Sequence, residues 1–304
     1  MAACGHDSVS AELWADDPLA KAVVGWERAP ARSWRADDPV LVGVDVHGGS
    51  VAVDFTEPTH WIVQGQTRSG KSSLMYALLG QLSVSSAVVV AMSDPTGILA
   101  SAYAGTRHAA WQVGGLDDVA AHAALLDRLM ELMVSRTSML LAGRSDKLVE
   151  FTPDLPLMVL VLEELPGLIS AAVTDDRLNA RRAVDRVADR ISAARGRLIA
   201  EGAKVGIRVV MLCQRADASI LGGFDRSNVA TRLTLRVDSS EAVRMLHQEA
   251  PPDLLQAQLT APPGVGLIEG PGLALRRIRT PHVSYADYLD AVERASAEGV
   301  SSDD

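Results

Sequence analysis

The chain has 304 residues, 48% of them hydrophobic and 4% aromatic, with a formal charge of −9. That length can bury a substantial core, and the acidic balance argues against simple monomeric attachment to nucleic acid through bulk charge, although a ring could still carry a basic inner surface. No apolar run approaches the roughly 20 residues of a membrane helix, the N-terminus lacks a basic-then-apolar leader, and only Cys4 and Cys213 occur, so the sequence reads as cytoplasmic and without a disulfide framework.

Residues 17–35 mix Trp, Pro and charges and predict an N-terminal helix and a loop. Val40–Val46 and Ser50–Phe55 predict a hairpin around His47-Gly48-Gly49. Trp61, Ile62 and Val63 form a short apolar strand, and behind it Leu74, Leu78, Leu79 and Leu82 recur at helical spacing. A buried strand follows over Ala87–Met92 and ends in the turn Ser93–Gly97. A long amphipathic helix spans Asp117–Ala142, then a polar loop covers 143–156. Leu157–Leu162 is uninterruptedly apolar, as a strand buried on both faces should be. Arg181–Ala200 predicts a helix, Ile207–Cys213 and Ala230–Val237 strands, and Val265–Ile268 with Leu273–Leu275 a last hairpin. A short amphipathic stretch, Tyr285–Ala295, precedes an acidic tail from Ser296 expected to be disordered. The alternation predicts an α/β fold with a mostly parallel central sheet flanked by helices, and no internal repeat is visible. Three segments are expected: a tail and helix (1–37), a nucleotide-binding core (38–280), and a C-terminal helix and tail (281–304).

The chemistry concentrates at Gly65-Gln66-Thr67-Arg68-Ser69-Gly70-Lys71-Ser72-Ser73, which fits G-x-x-x-x-G-K-[ST] between a strand and a helix. Glycines let the backbone fold tightly enough for successive amides to point at phosphate oxygens. Lys71 adds a mobile charge, the Ser72 hydroxyl is a Mg²⁺ ligand of the expected type, and the helix N-terminus favours an anion. The sequence therefore predicts binding of a nucleoside triphosphate. The apolar strand Leu157–Leu162 ends in Glu163-Glu164. Two adjacent acids there are costly to bury without a cation. Glu163 is assigned to Mg²⁺, with a methylene more than the usual Asp, and Glu164 to the base that polarises the attacking water. Gln214 follows the strand Ile207–Cys213. From spacing alone it is either a γ-phosphate contact or an ordinary loop-opening amide.

Together these features resemble the FtsK/SpoIIIE motor ATPases. The resemblance rests on the phosphate loop, the strand ending in two acids, Gly206–Arg215, Val40–Val46, Thr59-His60, Asp94-Pro95 and Ser227–Ser240, and covers roughly residues 38–275. The short chain and Glu163-Glu164-Leu-Pro-Gly167 look most like the actinobacterial members from conjugative elements or phages. The resemblance implies a RecA-like motor that assembles as a hexamer around double-stranded DNA and moves it using ATP. It also implies that Gln214 senses the γ-phosphate, and that Arg232 or Arg244 reaches a neighbour's nucleotide. Neither a membrane helix nor a winged-helix module is visible, so a membrane-anchored or loading partner is expected.

Arg181, Arg182, Arg186, Arg190, Arg195 and Arg197, with Lys204, could form a basic stripe for DNA or a neighbouring subunit, or a solvated face paired with Asp185, Asp189 and Glu201. Arg144, Lys147 and the turn Ala218–Arg226 are alternative pore-facing candidates. The expected function is an ATP-driven translocase of double-stranded DNA, serving plasmid or mobile-element transfer. The alternatives are a ring ATPase moving protein and a non-hydrolysing ATP-binding assembly factor.

Overall fold

A computed structural model describes residues 17–21, 24–26, 35–216 and 228–298. Cys4 and the turn 218–226 lie outside them. The strands are β1 Val40–Asp45, β2 Ser50–Val53, β3 Trp61–Gln64, β4 Val88–Asp94, β5 Gln112–Gly114, β6 Leu157–Leu162, β7 Ile207–Cys213, β8 Thr231–Thr234, β9 Val265–Gly270 and β10 Leu273–Arg279. The helices are α1 Lys71–Leu82, α2 Ile98–Ser101, α3 Val119–Gly143, α4 Leu165–Leu178, α5 Val187–Glu201, α6 Ser240–Leu246, α7 Pro252–Leu259 and α8 Tyr285–Glu298.

The strands form one sheet in the order β2-β1-β10-β9-β8-β3-β7-β6-β4-β5. From β8 to β5 neighbours run parallel, and from β8 out to β2 they run antiparallel. The predicted mostly parallel sheet with an N-terminal hairpin is present. β6 is apolar throughout because both its faces are covered, while β3, β4 and β7 bury the polar residues Gln64, Ser93, Asp94 and Arg208. Trp61, Val63, Val159 and Val161 join the layer under α1 and α8, whereas Ile62, Met158, Leu160 and Leu162 join the layer under α3, α4 and α5.

Several boundaries differ from the sequence reading. The helix placed over Arg181–Ala200 starts only at Val187, because buried Asp176 accepts from the amides of Val187 (2.8 Å) and Ala188 (3.1 Å) and caps α5 from a distance. An unpredicted helix, α4, lies before it, and α2, β5, α6 and α7 were likewise not anticipated. Among the described part of residues 17–35 there is a turn and no helix. α8 runs to Glu298, so the region read as a disordered tail begins inside it; residues 299–304 lie outside the described set.

Candidate nucleotide site

β3 sits between β7 and β8, all parallel, so their carboxyl ends open on one edge of the sheet. The chain leaving β3 turns at Gly65, whose amide donates to the Cys213 carbonyl (3.2 Å), and Gln66 donates to the Arg236 carbonyl (2.9 Å). Arg236 closes the loop from outside by donating to the Arg68 carbonyl (3.1 Å). Both motif glycines are required by space. A β-carbon on Gly65 would lie 2.5 Å from the Ser69 hydroxyl oxygen, and one on Gly70 2.6 Å from the Gly264 amide, where φ is also +102°. Arg68 takes φ +63°, Thr67 and Arg68 are exposed, and Ser72 is exposed on the first turn of α1. The loop thus presents its backbone and the positive end of α1 outward, as anion binding requires.

The Lys71 ammonium donates to the carbonyls of Gly65 (2.8 Å) and Cys213 (3.1 Å) and stands 4.0 Å from a Glu164 carboxylate oxygen. Burial lowers its pKa, opposed by the carboxylates of Glu164 and Glu163 and by Cys213. Parallel pairing of β6 between β7 and β4 brings the two acids here: the Glu163 amide donates to the Ser93 carbonyl (3.0 Å), and Glu164 begins α4 at φ +42°. One carboxylate oxygen of Glu163 is buried with no hydrogen-bond partner. Burial, reinforced by the charges of Asp94 and Glu164, pushes its pKa up to about 7.

Asp94 is an acid whose weight the sequence reading missed. It is fully buried at the end of β4. One oxygen accepts from the Thr96 amide (2.9 Å) and hydroxyl (2.8 Å), the other from the amides of Leu99 (2.8 Å) and Ala100 (3.1 Å). Those bonds build the turn into α2 and leave the carboxylate saturated, so Asp94 acts on Glu163 through its charge. The available signal was an acid at a strand end two residues before Thr, the pattern of a side chain closing its own turn.

Gln214 is exposed directly after β7, beside the Cys213 carbonyl that holds Lys71. The Ser73 hydroxyl is engaged with the segment before α8, accepting from the Val283 amide (2.7 Å) and lying within bonding distance of the Pro281 (3.3 Å) and Val283 (3.1 Å) carbonyl oxygens. Arg232 is committed within its own chain, donating to the carbonyls of Val229 (3.2 Å) and Leu246 (3.0 Å) and pairing with Glu269 at 3.5 Å. Arg244 is exposed on α6, which leaves it as the better placed of the two for a role in trans.

The arginine stripe is largely neutralised. Arg181 pairs with Asp175 and Asp176, Arg182 with Asp185, Arg190 with Asp127 and Arg197 with Glu201. The pairs with Asp185 and Glu201 are those of the solvated alternative, whereas Arg181 and Arg190 pair with Asp175, Asp176 and Asp127, outside it. Arg144 and Lys147 are exposed in the loop that enters β6, at the sheet edge opposite the phosphate loop.

The same chain matches the FtsK/SpoIIIE family over residues 26–249. It belongs to that family. Among family relatives, DNA translocase FtsK 2 of Ralstonia nicotianae is 27% identical over 259 residues, covering 75% of this chain and 31% of the relative. DNA translocase SftA of Bacillus subtilis is 25% identical over 210 residues, covering 65% and 20%. The chain therefore spans less than a third of these relatives' own length. The ATPγS-bound monomer of the pCW3 conjugation coupling protein TcpA superposes with a TM-score of 0.70 at 20% identity, over 90% of this chain and 75% of that one. The cytoplasmic domain of the type VII secretion ATPase EccC from Thermomonospora curvata gives 0.61 at 21%, over 88% and 32%. At that identity both likenesses speak to the fold, a P-loop ATPase fold of the FtsK type.

Proposed function

We propose that this chain is a Mg²⁺-dependent ATPase that moves double-stranded DNA as a cytoplasmic homo-hexameric ring, in the transfer of a plasmid or other mobile element. The observation that carries the reading is the placement of Lys71. Its amine is tied to Gly65 and Cys213 and lies 4.0 Å from Glu164, so phosphate loop, acid pair and Gln214 strand converge on one point. Translocase relatives supply the substrate class, and the TcpA likeness agrees with a transfer role.

In this reading the amides of residues 65–73 and the α1 N-terminus hold the phosphates, and Lys71 spans toward the terminal one. Glu164 orients the attacking water and accepts its proton, Gln214 senses the γ-phosphate, and Arg244 completes the neighbouring site. The residues fit a divalent cation: Glu163 has a buried, unpartnered oxygen and the Ser72 hydroxyl is open. Among the described residues no group of three or more His, Cys, Asp or Glu could hold a metal alone, so Mg²⁺ would share phosphate oxygens and water, neutralising charge on the triphosphate. No helix among the described residues is long and apolar enough to cross a membrane, and the proposal includes a separate anchoring or loading partner.

The test is the ATPase rate with duplex DNA, single-stranded DNA and no DNA, at concentrations that permit assembly. Several-fold stimulation by duplex alone is expected, and Lys71→Ala should lower the stimulated rate by about 10²-fold or more. A rate indifferent to DNA favours a protein substrate, and ATP binding without turnover favours an assembly factor.

A further inference from the structure

Gln64, the last residue of β3, is fully buried and bonded on both sides of its amide. Its carbonyl oxygen accepts from the Ala216 amide (3.0 Å), two residues past Gln214. Its NH₂ group donates to the Ala242 carbonyl (2.7 Å) in α6 and to the Thr234 hydroxyl (2.9 Å) at the end of β8. The amide orientation is fixed, since Ala216 can only donate and the Ala242 carbonyl can only accept. One side chain thus links the strand entering the phosphate loop to the sensing segment 214–216 and to the helix that carries Arg244.

The bonding continues inward. Thr234, having accepted from Gln64, can donate its hydroxyl proton to Nε2 of His247 (2.9 Å), and Nδ1–H of His247 donates to Glu269 (3.0 Å). Glu269 is kept below the ordinary carboxylate range by His247 first, then by Arg232, despite the opposing effect of burial. Gln64, Thr234 and His247 are all fully buried, so each lost bond leaves an unpaired group in a low-dielectric interior. With His247 neutral, every donor in the row has one acceptor.

We propose that Gln64, Thr234 and His247 form a positioning relay that holds residues 214–216 in register with the phosphate loop, so that Gln214 meets the γ-phosphate only while the relay is intact. The relay deepens the nucleotide reading above and rests on it. None of the three residues touches nucleotide; they act through Gln214.

The test compares Mg²⁺-loaded ATPγS and ADP binding by calorimetry in the full chain and its Gln64→Leu, Thr234→Val and Thr234→Ser variants. ATPγS affinity should fall about tenfold in Gln64→Leu and Thr234→Val, the equivalent of one buried hydrogen bond. ADP affinity should be unchanged, and Thr234→Ser should behave as the parent. If Gln64→Leu fails to fold, Thr234→Val, which keeps the side-chain shape, carries the same readout. Equal loss of both nucleotides means a merely structural role and overturns the relay, as does no loss of either. A parent chain that binds neither nucleotide overturns the nucleotide reading together with the relay, whereas intact parent binding with unselective variants overturns the relay alone.

Discussion

Glu163 keeps a buried oxygen without a partner beside two other acids, and the price is a carboxyl that holds its proton up to about pH 7. In the unfolded chain the same group releases it near pH 4.5. Its contribution to stability is therefore complete below 4.5 and is lost as pH rises through 7. Without nucleotide or cation, Glu163→Gln should stabilise the protein by ~1–2 kcal/mol at pH 8, after allowing for solvent screening, and by nothing near pH 4.5. Thermal unfolding in chelator at both pH values checks this; an equal effect at the two would sink it. The same variant should lose Mg²⁺-dependent turnover, because an amide cannot supply the charge a divalent cation needs. Functional demand and folded-state comfort conflict at this position, as they often do where charge must be stored for a ligand.

α8, set apart in the sequence as a terminal addition, is built into the site. The chain entering it bonds Ser73, Tyr288 donates to the Leu99 carbonyl (3.1 Å), and Leu99 in turn donates to Asp94. Tyr288 is fully buried against Tyr76, with ring centroids 5.0 Å apart, and against Tyr103. Tyr288→Ala should cost about 3–5 kcal/mol, read as a lower urea midpoint. A loss below about 1 kcal/mol would show that α8 lies outside the cooperative core. The sequence made the phosphate loop and β6 legible because each is written in contiguous residues. It hid α4, since Leu165-Pro166-Gly167 reads as a breaker, yet Pro in the first turn gives up only an amide with no helical partner. The Gln64 relay left no sequence signal at all. Gln64, Thr234 and His247 and their partners at 216, 242 and 269 meet only once the sheet has formed.

Across the whole molecule, two buried histidines tie the sheet to its pH range. Nδ1 of His60 accepts the Val209 amide (3.0 Å) and Nδ1 of His108 the Val90 amide (3.1 Å). Burial, aided by the nearby Arg208 and Arg107, lowers them to about 4 and 3. Both therefore stabilise fully above 6.5, and this contribution is lost as pH falls through the folded values. Urea unfolding should lose on the order of 3–6 kcal/mol between pH 7 and pH 4. A midpoint that does not move over that interval would contradict the assignment. With Glu163 acting in the opposite sense, the unliganded protein should be most stable near neutrality. The sheet order carries one more consequence, concerning the time at which the chain is made. β3 occupies the centre but is synthesised before both its neighbours, β7 and β8. On the ribosome the phosphate loop therefore has no Cys213 carbonyl to meet until β7 has been made, and no Arg236 to close it until the chain has passed β8. A nascent chain that has not reached Arg236 lacks a closed phosphate loop, so a product broken off before it carries no competent site.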